Sequence, residues 1–266
     1  MAYSSKQITL LNTINDFIIQ KGYSIVRMGN VEAVYLLGKE ENNQLRNNAG
    51  FYGDGDDLKF WRNAYMKALF NSNVIMNVIS CDSFKITRDL LTYFNIWKPQ
   101  IPYLEYPTFY LEIIQELHKQ NKKICIVSYF ADEMKNQLEY INEIWGNKFK
   151  INPALFEFVE TYNTITGNTP HSGFTETYNE IVKKLDKSES NYYFLSCGCY
   201  GLPLCDYLKN KGHNSLYVGG LLQILFGLMG KRWETRQEVL QFFNIYWKYP
   251  QKRPKNSVGV EGGCYW

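Results

Sequence analysis

Residues Arg27-Met-Gly-Asn-Val-Glu32 bring a cation, an amide and a carboxylate within one short run. An arginine offers a planar two-point fork to phosphate or carboxylate. A glutamate in suitable surroundings can take a proton from a hydroxyl. The plainer alternative is a buried Arg–Glu pair that pins a loop, and this segment alone leaves both open. Two more glycine-marked runs, Cys197-Gly-Cys-Tyr-Gly201 and Val218-Gly-Gly-Leu-Leu-Gln223, also follow apolar stretches. A glycine lets a ligand approach the backbone closely, and a helix N-terminus offers amides to phosphate. None of the three is a GxGxxG or Walker loop; together they favour a nucleotide site over simple packing. Gly230-Lys-Arg-Trp233 adds two adjacent cations. They can clamp a pyrophosphate, or complement the negative end of a helix.

The elements that must hold these residues follow from periodicity. Ser4 or Ser5 caps a first helix with apolar positions Ile8, Leu11, Ile14, Phe17 and Ile18, and Gly22 ends it. Ser24–Val26 then reads as a buried strand carrying Arg27 at its carboxyl end, with Asn30 as N-cap of the next helix. Strands are also expected at Val74–Ile79, Ile124–Tyr129, Tyr192–Ser196 and Ser215–Val218, with Phe149–Glu160 extended. Helices are expected at Leu58–Phe70, Ser83–Phe94, Pro107–Gln120, Ala131–Trp145, Glu176–Leu185, Leu202–Lys211, Leu221–Met229 and Glu234–Tyr246. Lys39–Asp57 and Thr161–Ser172 are polar loops, and Gly53-Asp-Gly-Asp-Asp57 suits a helix cap better than a cation loop, lacking EF-hand spacing. Such alternation predicts an α/β, Rossmann-like, mainly parallel sheet with helices on both faces. Ligands of such sheets bind beyond the carboxyl ends of the strands. The expectation is a single domain over 1–266, with 250–266 an irregular tail.

The chain has 266 residues, 45% hydrophobic and 21% charged, and a net charge of +3 from 29 basic and 26 acidic residues. That near balance gives no general case for nucleic acid. The longest nearly apolar run, Val218–Met229, falls short of the roughly 20 residues a spanning helix needs. With no signal peptide and six cysteines that form no CxxC, a cytoplasmic, reduced protein is expected. His118 and His213 read as solvated and His171 as a weak candidate acid or ligand. Ser196 lacks the G-x-S-x-G elbow of a hydrolase.

Arg27–Glu32 resembles the R-x-G-D-x-E segment of glycosyltransferases with the GT-D fold, found in bacterial glycan gene clusters. Cys197–Gly201 resembles their second glycine turn. Gly219–Trp233 resembles the pattern G-x-x-x-Q-x-x-F-G-x-x-G-x-R-W of related transferases, and the ending Glu261–Trp266 resembles those chains as well. The resemblance implies a GT-D-like fold and transfer of a sugar from a UDP-, GDP- or dTDP-sugar to a hydroxyl of a glycan or glycolipid acceptor. It implies Arg27 and Glu32 as catalytic residues; the acceptor hydroxyl needs a base, for which Asp54, Asp56 or Asp57 also serve if their loop closes over the site. Nucleotide-sugar contacts would come from Gly29, Asn30, Gly198, Tyr200, Gly219, Gly220, Gln223, Lys231 and Arg232. A divalent metal, Mg²⁺ or Mn²⁺, would sit on Glu32 and Asn30. Asn30 replaces the aspartate of the D-x-E element, and its carbonyl can ligate a cation without offsetting the charge. Metal dependence is therefore left open. Two other readings stand beside this one: another nucleotide-cofactor transferase such as a methyltransferase, and a catalytically degenerate glycan-binding protein. The acidic residue that would end the strand after the cofactor turn of a methyltransferase is absent, since Ser215–Val218 runs straight into Gly219-Gly220.

Overall fold

Seven short strands pair in parallel in a computed structural model that describes residues 5–39, 44–77, 81–103, 106–260 and 262–266. They are β1 (Ser24–Arg27), β2 (Val74–Asn77), β3 (Gln100–Pro102), β4 (Ile124–Ser128), β5 (Phe156–Glu160), β6 (Tyr192–Ser196) and β7 (Asn214–Tyr217), in the order β3-β2-β1-β7-β6-β4-β5. The central strands are continuous apolar runs, as a sheet covered on both faces requires. Successive side chains point to opposite faces. Ile25, Ile124, Ile126 and Phe194 therefore enter one core, while Val26, Cys125, Val127 and Leu195 enter the other.

The longer helices are α1 (Ser5–Ile19), α2 (Asn30–Leu36), α3 (Gly55–Asn71), α4 (Cys81–Tyr93), α5 (Pro107–Lys119), α6 (Ala131–Asn136), α7 (Phe174–Leu185) and α8 (Gly201–Asn210). α1, α5 and α6 cover the first face together with the chain after Val218. α2, α3, α4, α7 and α8 cover the second, where Trp61 and Tyr65 of α3 are buried completely. The α/β, Rossmann-like expectation holds. No helix among the described residues is long and apolar enough to cross a membrane.

Several local expectations are corrected. Gly29, not Asn30, is the N-cap of α2, with φ −79° and ψ 146°. The Gly53–Asp57 run is a cap as expected: Asp54 accepts from the amides of Asp56 and Asp57 and completes a capping box with Asp57. β3 escapes a sequence reading because it is three residues long and ends in a proline, a type confined to sheet edges. The helix expected over 131–145 breaks at Gln137, whose buried amide leaves the helix to donate to the Tyr246 carbonyl. Leu221–Met229 holds only the helical turn Leu222–Leu225, which Gly227 ends at φ +70°. Glu234–Tyr246 holds only Gln237–Leu240; Asn244 instead donates to the carbonyls of Glu143 and Ile144. In each case a tertiary hydrogen bond or a glycine outweighs helix propensity. Ser4, residues 40–43, 78 and 79, and Glu261 lie outside the described residues.

Candidate active site

A cavity of about 770 Å³ opens at the carboxyl edge of the sheet. Its wall takes a residue at or just beyond the end of six of the seven strands: Arg27, Tyr103, Ser128, Tyr162, Ser196 and Tyr217. This is where open α/β sheets place ligands, and short strands with long loops beyond them leave the necessary room. Of the residues singled out in the sequence, Arg27, Gly29, Asn30, Glu32, Gly198, Gly219, Gly220, Gln223 and Arg232 line it. Distant segments of the chain thus share one space.

Arg27 ends β1 with its guanidinium 4.6 Å from the centre of the Tyr103 ring. Its Nε is shut off from solvent and has no hydrogen-bond partner. Burial opposes the charge, but the rings of Tyr103, Tyr217 and Tyr265 and the Glu32 carboxylate hold the arginine above its ordinary pKa. It stays a cation. Glu32 lies in the first turn of α2 and is 7% exposed. Burial raises its carboxyl above the ordinary value, against the opposing pull of its own backbone amide and Arg27. A carboxylate moved toward neutrality makes a better general base at physiological pH than a solvated one.

The glycines do something other than the sequence suggested. A β-carbon on Gly29 would overlap the Glu32 carboxylate, and one on Gly220 would overlap the Tyr265 ring. At Gly219, φ is +71° and the Arg27 guanidinium packs 3.4 Å from where a β-carbon would stand. The space freed by these glycines is filled by the chain's own Glu32, Arg27 and Tyr265. Gly198, at φ +53°, lets the carbonyl of Ala49 approach, which brings the loop before α3 over the cavity.

The last three residues and the 219–233 segment form one unit. Gln223, 2% exposed, donates through Nε2 to the carbonyls of Tyr265 and Leu228. The Arg232 amide donates to the Cys264 carbonyl at 3.0 Å. Its guanidinium lies 4.8 Å from the Tyr265 ring centre and donates to the Tyr265 hydroxyl at 3.2 Å. Gln223 is therefore a clasp that places Tyr265, and Tyr265 places Arg232.

Two of the expected residues stand elsewhere. Tyr200 is buried with its ring parallel to Phe174 at 4.5 Å, a packing contact away from the cavity wall. Lys231 lines a separate hollow with Glu234, Tyr249 and Arg253, and its Nζ reaches the Gly262 carbonyl. The step from Lys231 to Arg232 in a tight 3₁₀ turn sends the two cations apart. Asp54 and Asp57 are spent on the α3 cap, and Asp57 also accepts from the Thr175 amide at 2.8 Å. His171 Nδ1 meets the Thr177 hydroxyl at 3.0 Å beside Tyr52, outside the cavity wall. Cys197 and Cys199 are buried thiols pushed well above their ordinary pKa by burial, which suits packing rather than nucleophilic attack.

The sequence reading missed Tyr103, Tyr162, Arg236, Glu238 and the role of Tyr265. Ser128 and Tyr217 could have been found from the strand-end rule. Tyr103 could not, because β3 itself was invisible.

The described residues do not fit a resident divalent cation. No group of three or more His, Cys, Asp and Glu residues among them could hold a metal ion. Glu238, the other carboxylate on the described wall, lies 3.8 Å from Arg236. Mg²⁺ and Mn²⁺ favour several hard oxygen donors. Here one buried carboxylate, its pKa raised by burial, stands within the field of Arg27.

No protein-family model matches this chain, and no curated protein matches it. One solved structure, described as a new glycosyltransferase (DUF1792) from Streptococcus sanguinis, superposes over 95% of this chain and 94% of its own. The TM-score is 0.50 and the identity 13%. At that identity the likeness is one of fold.

Proposed function

We propose that this chain is a glycosyltransferase that moves a sugar from a UDP-, GDP- or dTDP-sugar to a hydroxyl of a glycan or glycolipid acceptor. The observation that carries it is the pairing of Arg27 and Glu32 in one cavity at the carboxyl edge of the sheet. A guanidinium on the cavity wall suits an anion, and a buried carboxylate with a raised pKa suits a base. The shared fold with a glycosyltransferase supports the same reading.

In the reaction the bond between the anomeric carbon and the diphosphate oxygen breaks, and the electron pair leaves with the diphosphate. The acceptor hydroxyl supplies the new bond to that carbon and gives its proton to Glu32. Arg27 and Arg232 meet the charge that develops on the leaving group, the largest single contribution in most such sites. Tyr106, exposed on the wall, offers an aromatic face to a base or a sugar ring. We place the reaction in the cytoplasm; the described cysteines 125, 197, 199, 205 and 264 are free, which suits a reducing compartment.

A thermal-shift screen of nucleotide sugars, with S-adenosylmethionine as the counter-ligand, tests the reading. A ligand at a hundred times its Kd stabilises by about 2.7 kcal/mol, a readily measured shift. Protection by one class of nucleotide sugar supports the proposal. Protection by S-adenosylmethionine alone would turn it into a methyltransferase, and protection by free glycans alone into a binding protein.

A further inference from the structure

We propose that two arginine–tyrosine stacks, Arg27 on Tyr103 and Arg232 on Tyr265, neutralise the leaving diphosphate in place of a divalent cation. The inference rests on the nucleotide-sugar reading above and adds to it how the donor's charge is met.

A diphosphate leaving group carries two or three negative charges, and it must be met by cations fixed in place before the bond breaks. Among its described residues the cavity wall bears Arg27, Arg232 and Arg236 together with Glu32 and Glu238, the last 3.8 Å from Arg236. A wall carrying fixed guanidiniums is the complement an anion needs. It is also the wrong surrounding for a metal ion, whose own charge would have to be balanced by carboxylates. At position 30, where a carboxylate could do so, the chain has an exposed asparagine.

The two guanidiniums share one construction. Each lies over a tyrosine ring, at 4.6 Å for Arg27 and 4.8 Å for Arg232. Stacking fixes the plane of a guanidinium, the geometry from which an arginine meets phosphate oxygens edge-on. Glycines make both stacks possible. Gly219 accommodates the Arg27 guanidinium and Gly220 the Tyr265 ring. Gln223 and the Cys264 carbonyl then tie the second stack to the segment after β7. The glycines, glutamine and arginine of the 219–233 segment are thereby explained as parts of one device. No electron donor or co-reactant is needed. The C–O bond breaks heterolytically, and both electrons stay on the phosphate oxygen facing the guanidiniums.

The test is calorimetric titration of UDP, GDP and dTDP into the full chain, first in EDTA and then in Mn²⁺ and in Mg²⁺. One nucleotide is expected to bind in EDTA, with less than a threefold gain on adding metal. Arg27→Lys should weaken binding about tenfold, since lysine cannot give the two-point contact. Tyr265→Leu should weaken it similarly by freeing Arg232, while Tyr265→Phe, which keeps the ring, should lose no more than threefold. Because Tyr265→Leu could disturb folding, melting curves accompany each variant, and the metal comparison on the unaltered chain stands by itself. Binding seen only with Mn²⁺ or Mg²⁺ would overturn the arginine–tyrosine device while leaving the nucleotide-sugar site in place. Binding of none of the three, with or without metal, would remove the site and the device together.

Discussion

Glu32 is asked to do two things that conflict. Its carboxyl is raised above the ordinary value by burial, so in the folded chain the charged form is disfavoured. A raised acid contributes stability that is present below its unfolded pKa and is lost as pH rises through the folded value. Above its folded pKa the ionised side chain therefore works against folding. Glu32→Gln keeps the shape and removes the charge. Melting temperature at neutral pH should stay level or rise, while transfer falls about a hundredfold or more, the usual size of a lost general base. A fall in melting temperature with transfer intact would make Glu32 a structural residue. Gly219→Ala works on the neighbour. The new methyl group at φ +71° is strained and crowds Arg27, so nucleotide affinity should drop about tenfold, read by the same titration.

Among the elements, the junction of α5 with the turn before β5 carries a pH dependence of its own. His118, read from the sequence as solvated, is instead buried on α5, where its Nδ1 accepts from the Asn152 amide at 3.1 Å and its ring edge meets Phe156. Burial pulls its pKa down to about 4 from an ordinary 6.5. Between those values the unfolded chain holds a proton that the folded chain refuses. Stability should therefore be level in this term above pH ~6.5 and decline as pH falls toward ~4. Each unit is worth about 1.4 kcal/mol, so the whole window costs a few kcal/mol at most. Denaturant midpoints followed across that range should flatten in His118→Gln; an unchanged slope would show that other groups carry the acid sensitivity. At the other end of the chain, Gln223→Leu leaves the Tyr265 and Leu228 carbonyls without their donor. That should cost about 1–3 kcal/mol and should weaken nucleotide binding, because Tyr265 is then no longer held.

For the whole molecule, the layered α/β plan was legible because five of the seven strands are apolar β-branched or aromatic runs bounded by turn residues. The meeting of Arg27, Gly198 and Gly219 followed from each closing such a strand. What stayed hidden depends on distant contacts. Helix propensity over 131–145 and 234–246 gives no warning that Gln137 and Asn244 will spend their amides on each other's segments. The glycines were legible as special but misread in purpose, since only the folded chain shows Arg27, Glu32 and Tyr265 occupying the space they leave. Lys231 and Tyr200 read as site residues by position in a motif, and the direction of a side chain out of a 3₁₀ turn is not written in spacing alone. Turnover of a nucleotide sugar is the activity this cavity must show. Release of nucleoside diphosphate should be measured from a panel of UDP-, GDP- and dTDP-sugars with glycan acceptors, for the unaltered chain beside Glu32→Gln. The expected result is release from one donor class that drops about a hundredfold in the variant; equal release by both chains would contradict it.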